Sequence, residues 1–408
     1  MSQKFKTFII QIVVVNDGIC SKMTLNRKKS GEVYIQGEDE GILIEKIASE
    51  NVAEMLNEWY SMIRQNKVNK AVTIKGEIEE ALPFMEKNQN LIIYFTLLDF
   101  RHKIMLKNLT ETTEIFNQLE KESYDKTEEM IQYYFYFFGG QHEFYNRNYI
   151  KAVKYYQAAE NKLQFISDDI EKAEFHYQLG NAFYRIDQHF YSLMHGEKAL
   201  EIFKYYGNYA EKTLNCEMLL AANLVDLGNY DKAKVFYYRV LKNAEEKAFP
   251  ITLGLANHNL GLCYQKQKEF DLAVNHFNIS LTIPEHNNSY VGVKTLYELT
   301  YSLYQDGSKE NASQFFEKGF DRACSEENNE YITKFKLLHA VYEFESLPLI
   351  NSGLAELEKL NLWTDIVEIS YNIGCYFEEK GYFEKAVIYL KRAHQAKVEI
   401  MKMGEVVM

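Results

Sequence analysis

Proline is almost missing from this sequence, with four in 408 residues, and glycine is sparse at 20. Sheet-rich domains need more turn residues than that, so the scarcity favours an all-α chain. The five cysteines, Cys20, Cys216, Cys263, Cys324 and Cys375, are odd in number and show no CxxC spacing. Neither a disulfide framework nor a cysteine zinc site is expected, and they read as reduced thiols. No apolar run approaches the ~18 residues of a membrane span. The β-branched stretch in KFKTFIIQIVVVNDGICSKM follows Lys4 and Lys6, but Asn16, Asp17 and Gly18 give no small-x-small cleavage site. Export is therefore not expected, with Met23 an alternative start, and a cytoplasmic protein is the simpler reading.

Positive charge is also in short supply: 46 Lys and Arg face 58 Asp and Glu, a formal charge of −12. Phosphate affinity comes mainly from basic clusters, so a nucleic acid is not an expected partner. The ten histidines have no HExxH or other metal-ligand spacing. His142, His176 and His258 read as hydrogen-bonding helix residues, and no metal or cofactor of the chain's own is expected. P-loop, dinucleotide-binding and GxSxG motifs are absent, which leaves a self-contained enzyme without motif support.

What the chain does have is aromatic side chains, 31 Tyr and 26 Phe, and a repeat. The phrases NYIKAVKYY, HFYSLMHGEKAL, NYDKAKVFYY, EFDLAVNHF and YFEKAVIYL each place Ala or Leu three residues after an aromatic: Tyr149, Phe190, Tyr230, Phe270 and Phe383. The first three steps are 41, 40 and 40 residues, and SKENASQFF continues the series through Ala312. LGNAFY, LGLCYQ and IGCYF precede several of them, with Gly180, Gly261 and Gly374 where two helices must approach. This pairing resembles the tetratricopeptide helix–turn–helix, stretched beyond its usual ~34 residues. It predicts six or seven helical hairpins in a superhelix over 130–408, its concave face lined by first helices. Ahead of it, 51–108 reads as a three-helix bundle in which Pro83 shortens the second helix, 109–129 as a polar linker, and 1–50 as a poorly ordered extension.

Within the bundle, Asn88, Gln89 and Asn90 stand directly before LIIYFTLLDF. Asn88 is a good N-cap, and the bland reading is that the amides satisfy free backbone donors. At helical spacing, however, Gln89 shares a face with Ile92, Thr96 and Phe100, a half-apolar stripe suited to a protein partner. A glutamine has no proton to trade near neutral pH, so any chemistry would be positional. Residues 51–130 carry 10 Lys or Arg against 14 Asp or Glu, which argues against a DNA-reading helix-turn-helix there.

LNEWYSMIRQ, FMEKNQNLIIYFTLLDFRHKIML, MIQYYFYFFGGQHEF and DDIEKAEFHYQLGNAFY, in that order, resemble the Rap family of Bacillus response-regulator aspartate phosphatases and anti-activators. The resemblance runs from about residue 53 to the C-terminus. It implies a three-helix bundle joined to tetratricopeptide repeats, quorum sensing through a short Phr-type peptide, and action on a phosphorylated sporulation-phosphorelay receiver. Gln89 matches the family's catalytic glutamine, which would hold a water in line with the partner's aspartyl phosphate while the partner supplies Mg2+. Asn88, Ile92 and Phe100 would contact the response regulator, with Phe100 as the apolar anchor. Asn223 and Asn259 match the asparagines that clamp a peptide backbone, and Asp226 the acidic residue that draws a basic peptide side chain. Family members often read Glu-Asp-Gln-Asp where this chain has Lys87, Asn88, Gln89 and Asn90. Where some carry a second acidic residue before FKLLHAVY, this chain has Lys334, which should change the accepted peptide. The resemblance also admits a non-catalytic anti-activator that sequesters a transcription factor's DNA-binding domain.

Overall fold

The computed structural model describes residues 46–106, 109–120 and 127–405, together with four two-residue strands nearer the N-terminus. Phe8–Ile9 pairs antiparallel with Asn26–Arg27, and Val15–Asn16 with Ile19–Cys20. The low order expected of 1–50 otherwise falls outside the described residues as far as Lys46. From there on the chain is helical, as its lack of turn residues implies, and it forms two compact units, Met1–His142 and Glu143–Met408.

The first unit is built on α1 (Ser49–Arg64), α2 (Val68–Ala81), α3 (Gln89–Met105), α4 (Leu109–Leu119) and the start of α5 (Glu129–Tyr145). Val52, Leu56, Trp59, Tyr60 and Ile63 line one face of α1 at helical spacing and are buried. Pro83 ends α2 as expected: it sits in a 3-10 turn, Leu82–Phe84, because it can neither donate to nor fit within a continuing helix. The apolar residues of α3 are covered from two sides. Trp59 of α1 meets Phe95 and His102 at 5.6 and 5.5 Å, and Phe116 of α4 stacks on Phe100 at 5.5 Å. The stretch read from sequence as a linker thus contains a helix, whose Phe116 and Leu119 are buried despite the surrounding polar residues.

The second unit continues with α6 (Tyr149–Glu160) and then six helix pairs among the described residues. These are α7 (Asp169–Arg185) with α8 (His189–Tyr205), α9 (Ala210–Asp226) with α10 (Tyr230–Glu246), and α11 (Pro250–Lys266) with α12 (Phe270–Thr282). After the short α13 (Pro284–Asn287) come α14 (Tyr290–Gln305) with α15 (Lys309–Ser325), α16 (Asn329–Tyr342) with α17 (Leu347–Lys359), and α18 (Trp363–Glu379) with α19 (Phe383–Glu405). This is the tetratricopeptide superhelix. The repeat aromatics Tyr149, Tyr230, Phe270 and Phe383 are the first residues of their helices, and Ala152, Ala233, Ala273 and Ala312 are fully buried where paired helices touch. Gly261 shows why the small residue recurs: a Cβ there would stand 2.6 Å from the Phe277 ring.

The turn inside each pair needs a left-handed residue, supplied by Gly228, Gly307 and Gly381 at φ 75°, 82° and 80°. Asp187 and Lys268 adopt the same conformation at φ 56° and 61°, at a cost of roughly 1–2 kcal/mol each. No helix among the described residues is long and apolar enough to cross a membrane.

Candidate functional site

Gln89 is the first residue of α3 and is exposed. The chain turns into the helix there because Asn88, extended at φ −139° and ψ 99°, places its Oδ1 to accept from the Leu91 N–H at 3.2 Å. The three amides therefore divide. Asn88 is a half-buried cap, Asn90 donates through Nδ2 to the Glu128 carboxylate at 2.7 Å, and Gln89 makes no side-chain hydrogen bond among the described residues. Ile92, one turn on, is 45% exposed. Behind this tip, Lys75 and Lys103 bracket Asp99 at 2.6 and 3.1 Å, fixing α3 to α2 on its flank.

Phe100 is a correction. Expected as the apolar anchor for a partner, it is 1% exposed, stacked on Phe116 and 5.5 Å from the His142 ring. Helical spacing does put it on the Gln89 side of α3. Three turns further along, however, that side is covered by α4, the helix that the polar sequence after residue 108 concealed. Gln89 and Ile92 remain the accessible part of the stripe.

In the second unit, a cleft is lined by Gln265, Tyr297, Glu298, Tyr301, Lys334, Asp365 and Glu368 with Ile369 and Asn372. All of them lie on α11, α14, α16 and α18, the first helices of successive pairs, as expected for a concave face. Lys334 is inside α16 rather than ahead of it. It is buried in an ion network, with Nζ 2.7 Å from Glu330 and 2.5 Å from Asp365, while Arg147 reaches the other Glu330 oxygen at 2.6 Å. Burial opposes the lysine charge, but Tyr331, Asp365 and Glu330 outweigh it and raise its pKa well above the ordinary value. Lys334 thus arrives at the cleft charged but already ion-paired, which changes what it can offer a ligand.

Asn223 also departs from expectation. It is fully buried, with Nδ2 donating to Ser192 Oγ at 2.8 Å and to the Leu219 carbonyl at 2.9 Å, and Oδ1 paired with His189 Nδ1 at 3.0 Å. Its amide holds α9 against α8, and a peptide could pair with it only by replacing those bonds. Asn259 is half-buried on α11 and makes no side-chain hydrogen bond among the described residues. Asp226 ends α9 at the surface beside Tyr184, and burial by its neighbours raises its pKa.

The cleft residues Glu298 and Glu368, and Lys266 paired with the latter, carried no signal in the sequence. Burial and the nearby Glu368 charge push the Glu298 pKa up, and Gln265 donates to its carboxylate at 3.2 Å. Lys266 joins Glu368 at 2.7 Å and Lys268 joins Glu379 at 3.3 Å, linking positions 102 and 111 residues apart. Only the winding of the repeats brings such groups together.

Residues 46–107 match the model for the N-terminal region of response regulator aspartate phosphatase H, and 171–246 and 367–396 match tetratricopeptide repeats. Response regulator aspartate phosphatase I of Bacillus subtilis (strain 168) is 32% identical over 372 residues, covering 89% of this chain and 94% of the relative. A crystal structure of a Rap protein complexed with competence and sporulation factor superimposes with a TM-score of 0.81 at 31% identity, over 87% of this chain and 99% of that one. A plasmid Rap conjugation gene regulator in complex with the Phr peptide gives 0.65 at 31% identity, over 88% and 98%. With a bundle, a repeat array and near-complete coverage of such relatives, this chain belongs to the Rap family of response regulator aspartate phosphatases.

Proposed function

We propose that this protein is a cytoplasmic phosphatase of a response regulator's aspartyl phosphate, acting on a sporulation-phosphorelay receiver and inhibited by a short Phr-type signalling peptide. The observation that carries the catalytic half is Gln89: an exposed amide with no side-chain hydrogen bond among the described residues, on the first residue of a capped helix. Its carbonyl oxygen can accept from a water and its NH2 can donate to one, so it orients the attacking oxygen toward phosphorus without exchanging a proton. The helix N-terminus behind it favours the approach of an anionic phosphoryl group. Mg2+ belongs to the partner, where it would neutralise phosphoryl charge. Ile92 offers the receiver an apolar contact, and Phe100 acts from within by holding α3 on α4.

Incubating the protein with a phosphorylated sporulation-phosphorelay receiver and following phosphate release tests this reading. Gln89→Ala should slow release by roughly 100-fold, the scale of a misplaced nucleophile, while leaving the receiver's affinity within a few-fold. Release as fast as wild type would remove Gln89 from the mechanism. No release by wild type, with tight binding to an isolated transcription-factor DNA-binding domain, would favour the anti-activator reading that Lys87, Asn88 and Asn90 leave open.

The regulatory half rests on the first helices of the second unit's pairs, with Lys334 in the polar cleft and Asn223, Asp226 and Asn259 outside its lining on α9 and α11. Asp226 draws a basic peptide side chain, Asn259 pairs with the peptide backbone, and Asn223 joins it on giving up Ser192 and His189. Lys334, held by Glu330 and Asp365, narrows which peptides enter. Inhibition by the cognate peptide that survives Asp226→Ala unchanged would misplace the pocket.

A further inference from the structure

Three successive helices of the second unit each bring one metal-type ligand to a single point. Glu160 is the last residue of α6, His176 lies midway along α7 and His195 midway along α8. His176 Nδ1 and His195 Nδ1 are 3.0 Å apart, His195 Nε2 is 4.0 Å from Glu160 Oε1, and one ligand atom from each residue lies within 4.8 Å of the other two. The 4.0 Å gap is too long for a hydrogen bond. The carboxylate has no other hydrogen bond among the described residues, although burial raises its pKa. Both imidazoles are neutral near pH 7, since burial takes His176 to about 3 and His195 to about 4, with Lys198 adding to the effect. The 3.0 Å contact is a hydrogen bond in which one neutral Nδ1–H donates to the other Nδ1, and a metal ion binding the pair would replace that bond. Phe183 stacks on His195 at 5.7 Å and Phe175 meets His176 edge-on at 5.4 Å, so these rings give the pair apolar walls.

We propose that Glu160, His176 and His195 form a binding site for one divalent transition-metal ion, tying α6, α7 and α8 together. Bonds of ~2.0 Å from a tetrahedral ion set its ligand atoms ~3.3 Å apart. With each imidazole ligating through one nitrogen, the three ligand atoms here lie within 4.8 Å of one another, and the side chains draw together to close on the ion. Zn2+ is the ion that suits this mixed nitrogen and oxygen set, with water in the fourth position. The exposed Lys198 ammonium faces the same cluster and opposes the added charge. No sequence motif announces the site, because its ligands are 16 and 19 residues apart on separate helices.

The full chain, stripped with a chelator and titrated calorimetrically with ZnCl2, tests the site. One equivalent should bind and raise the thermal midpoint, and Co2+ in its place should give the visible absorption of a tetrahedral ion. Glu160→Gln and His176→Gln should each weaken binding at least 10-fold, and Lys198→Ala should tighten it a few-fold. Because Glu160 is half-exposed, its variant should fold even if the histidine variant does not. Wild type without a bound equivalent, or Glu160→Gln with unchanged affinity, would overturn the proposal, the latter placing Zn2+ on other histidines or cysteines.

Discussion

Replacing Phe100 by alanine separates two accounts of the α3 stripe. As a partner anchor, the ring would lower regulator affinity when removed and leave the fold intact. In the structure it is 1% exposed and packed on Phe116 and His142, so its removal leaves a benzyl-sized void between α3 and α4. Such a void costs about 3–5 kcal/mol. With a urea dependence of about 2 kcal/mol per molar, the unfolding midpoint of the first unit should fall by roughly 1.5–2.5 M. The two tryptophans make this measurable unit by unit, because Trp59 is buried in the first and Trp363 lies in the second. In a Trp363→Phe background, Trp59 fluorescence reports the first unit alone. Gln89→Ala in the same background is the control: an exposed residue should move stability by less than about 0.5 kcal/mol. A Phe100→Ala protein with an unmoved midpoint and weakened regulator binding would refute the packing and restore the anchor.

Asn88→Ala should destabilise the first unit by about 1 kcal/mol through loss of the Leu91 cap, whereas Asn88→Asp, which still accepts that bond, should not; the same urea titration decides. Acid should weaken the second unit before its carboxylates titrate. Thr295 Oγ1 lies 2.9 Å from both His258 Nδ1 and His286 Nε2 and donates its own hydrogen to the Val291 carbonyl, so both rings donate to it. Burial holds His258 well below its ordinary pKa and His286 at about 4, while the unfolded chain protonates near 6.5. Their stability contribution is complete above pH 7 and is lost as pH falls toward 4, by about 2 kcal/mol per histidine at pH 5. Thermal melts at pH 7.5 and 5 should show the loss, and His258→Asn should reduce it. Lys334→Met should cost about 3 kcal/mol by stranding Asp365 and leaving Glu330 with Arg147 alone. Recovery on adding Asp365→Asn would confirm the network, and a change in peptide affinity without any change in stability would contradict it.

The repeat register and the start of α3 were legible because each depends on local rules. Aromatic-x-x-Ala at a 40-residue step marks helices that bury a small residue against a neighbour. An Asn before an apolar run caps a helix whatever lies around it, and that placed Gln89 at an exposed tip. The fate of Phe100 was not legible, since α3 is apolar over much of its surface and only the position of α4, hidden in a polar stretch, decides which part is covered. The same holds for Asn223, whose amide is satisfied by Ser192 and His189 from 31 and 34 residues away, and for Lys334, whose charge is answered from α18. The meeting of Glu160, His176 and His195 is likewise a product of packing. Local propensities decide where helices begin and which residues are small or aromatic, but whether a polar or aromatic side chain is free to act depends on what a distant turn of the superhelix lays against it.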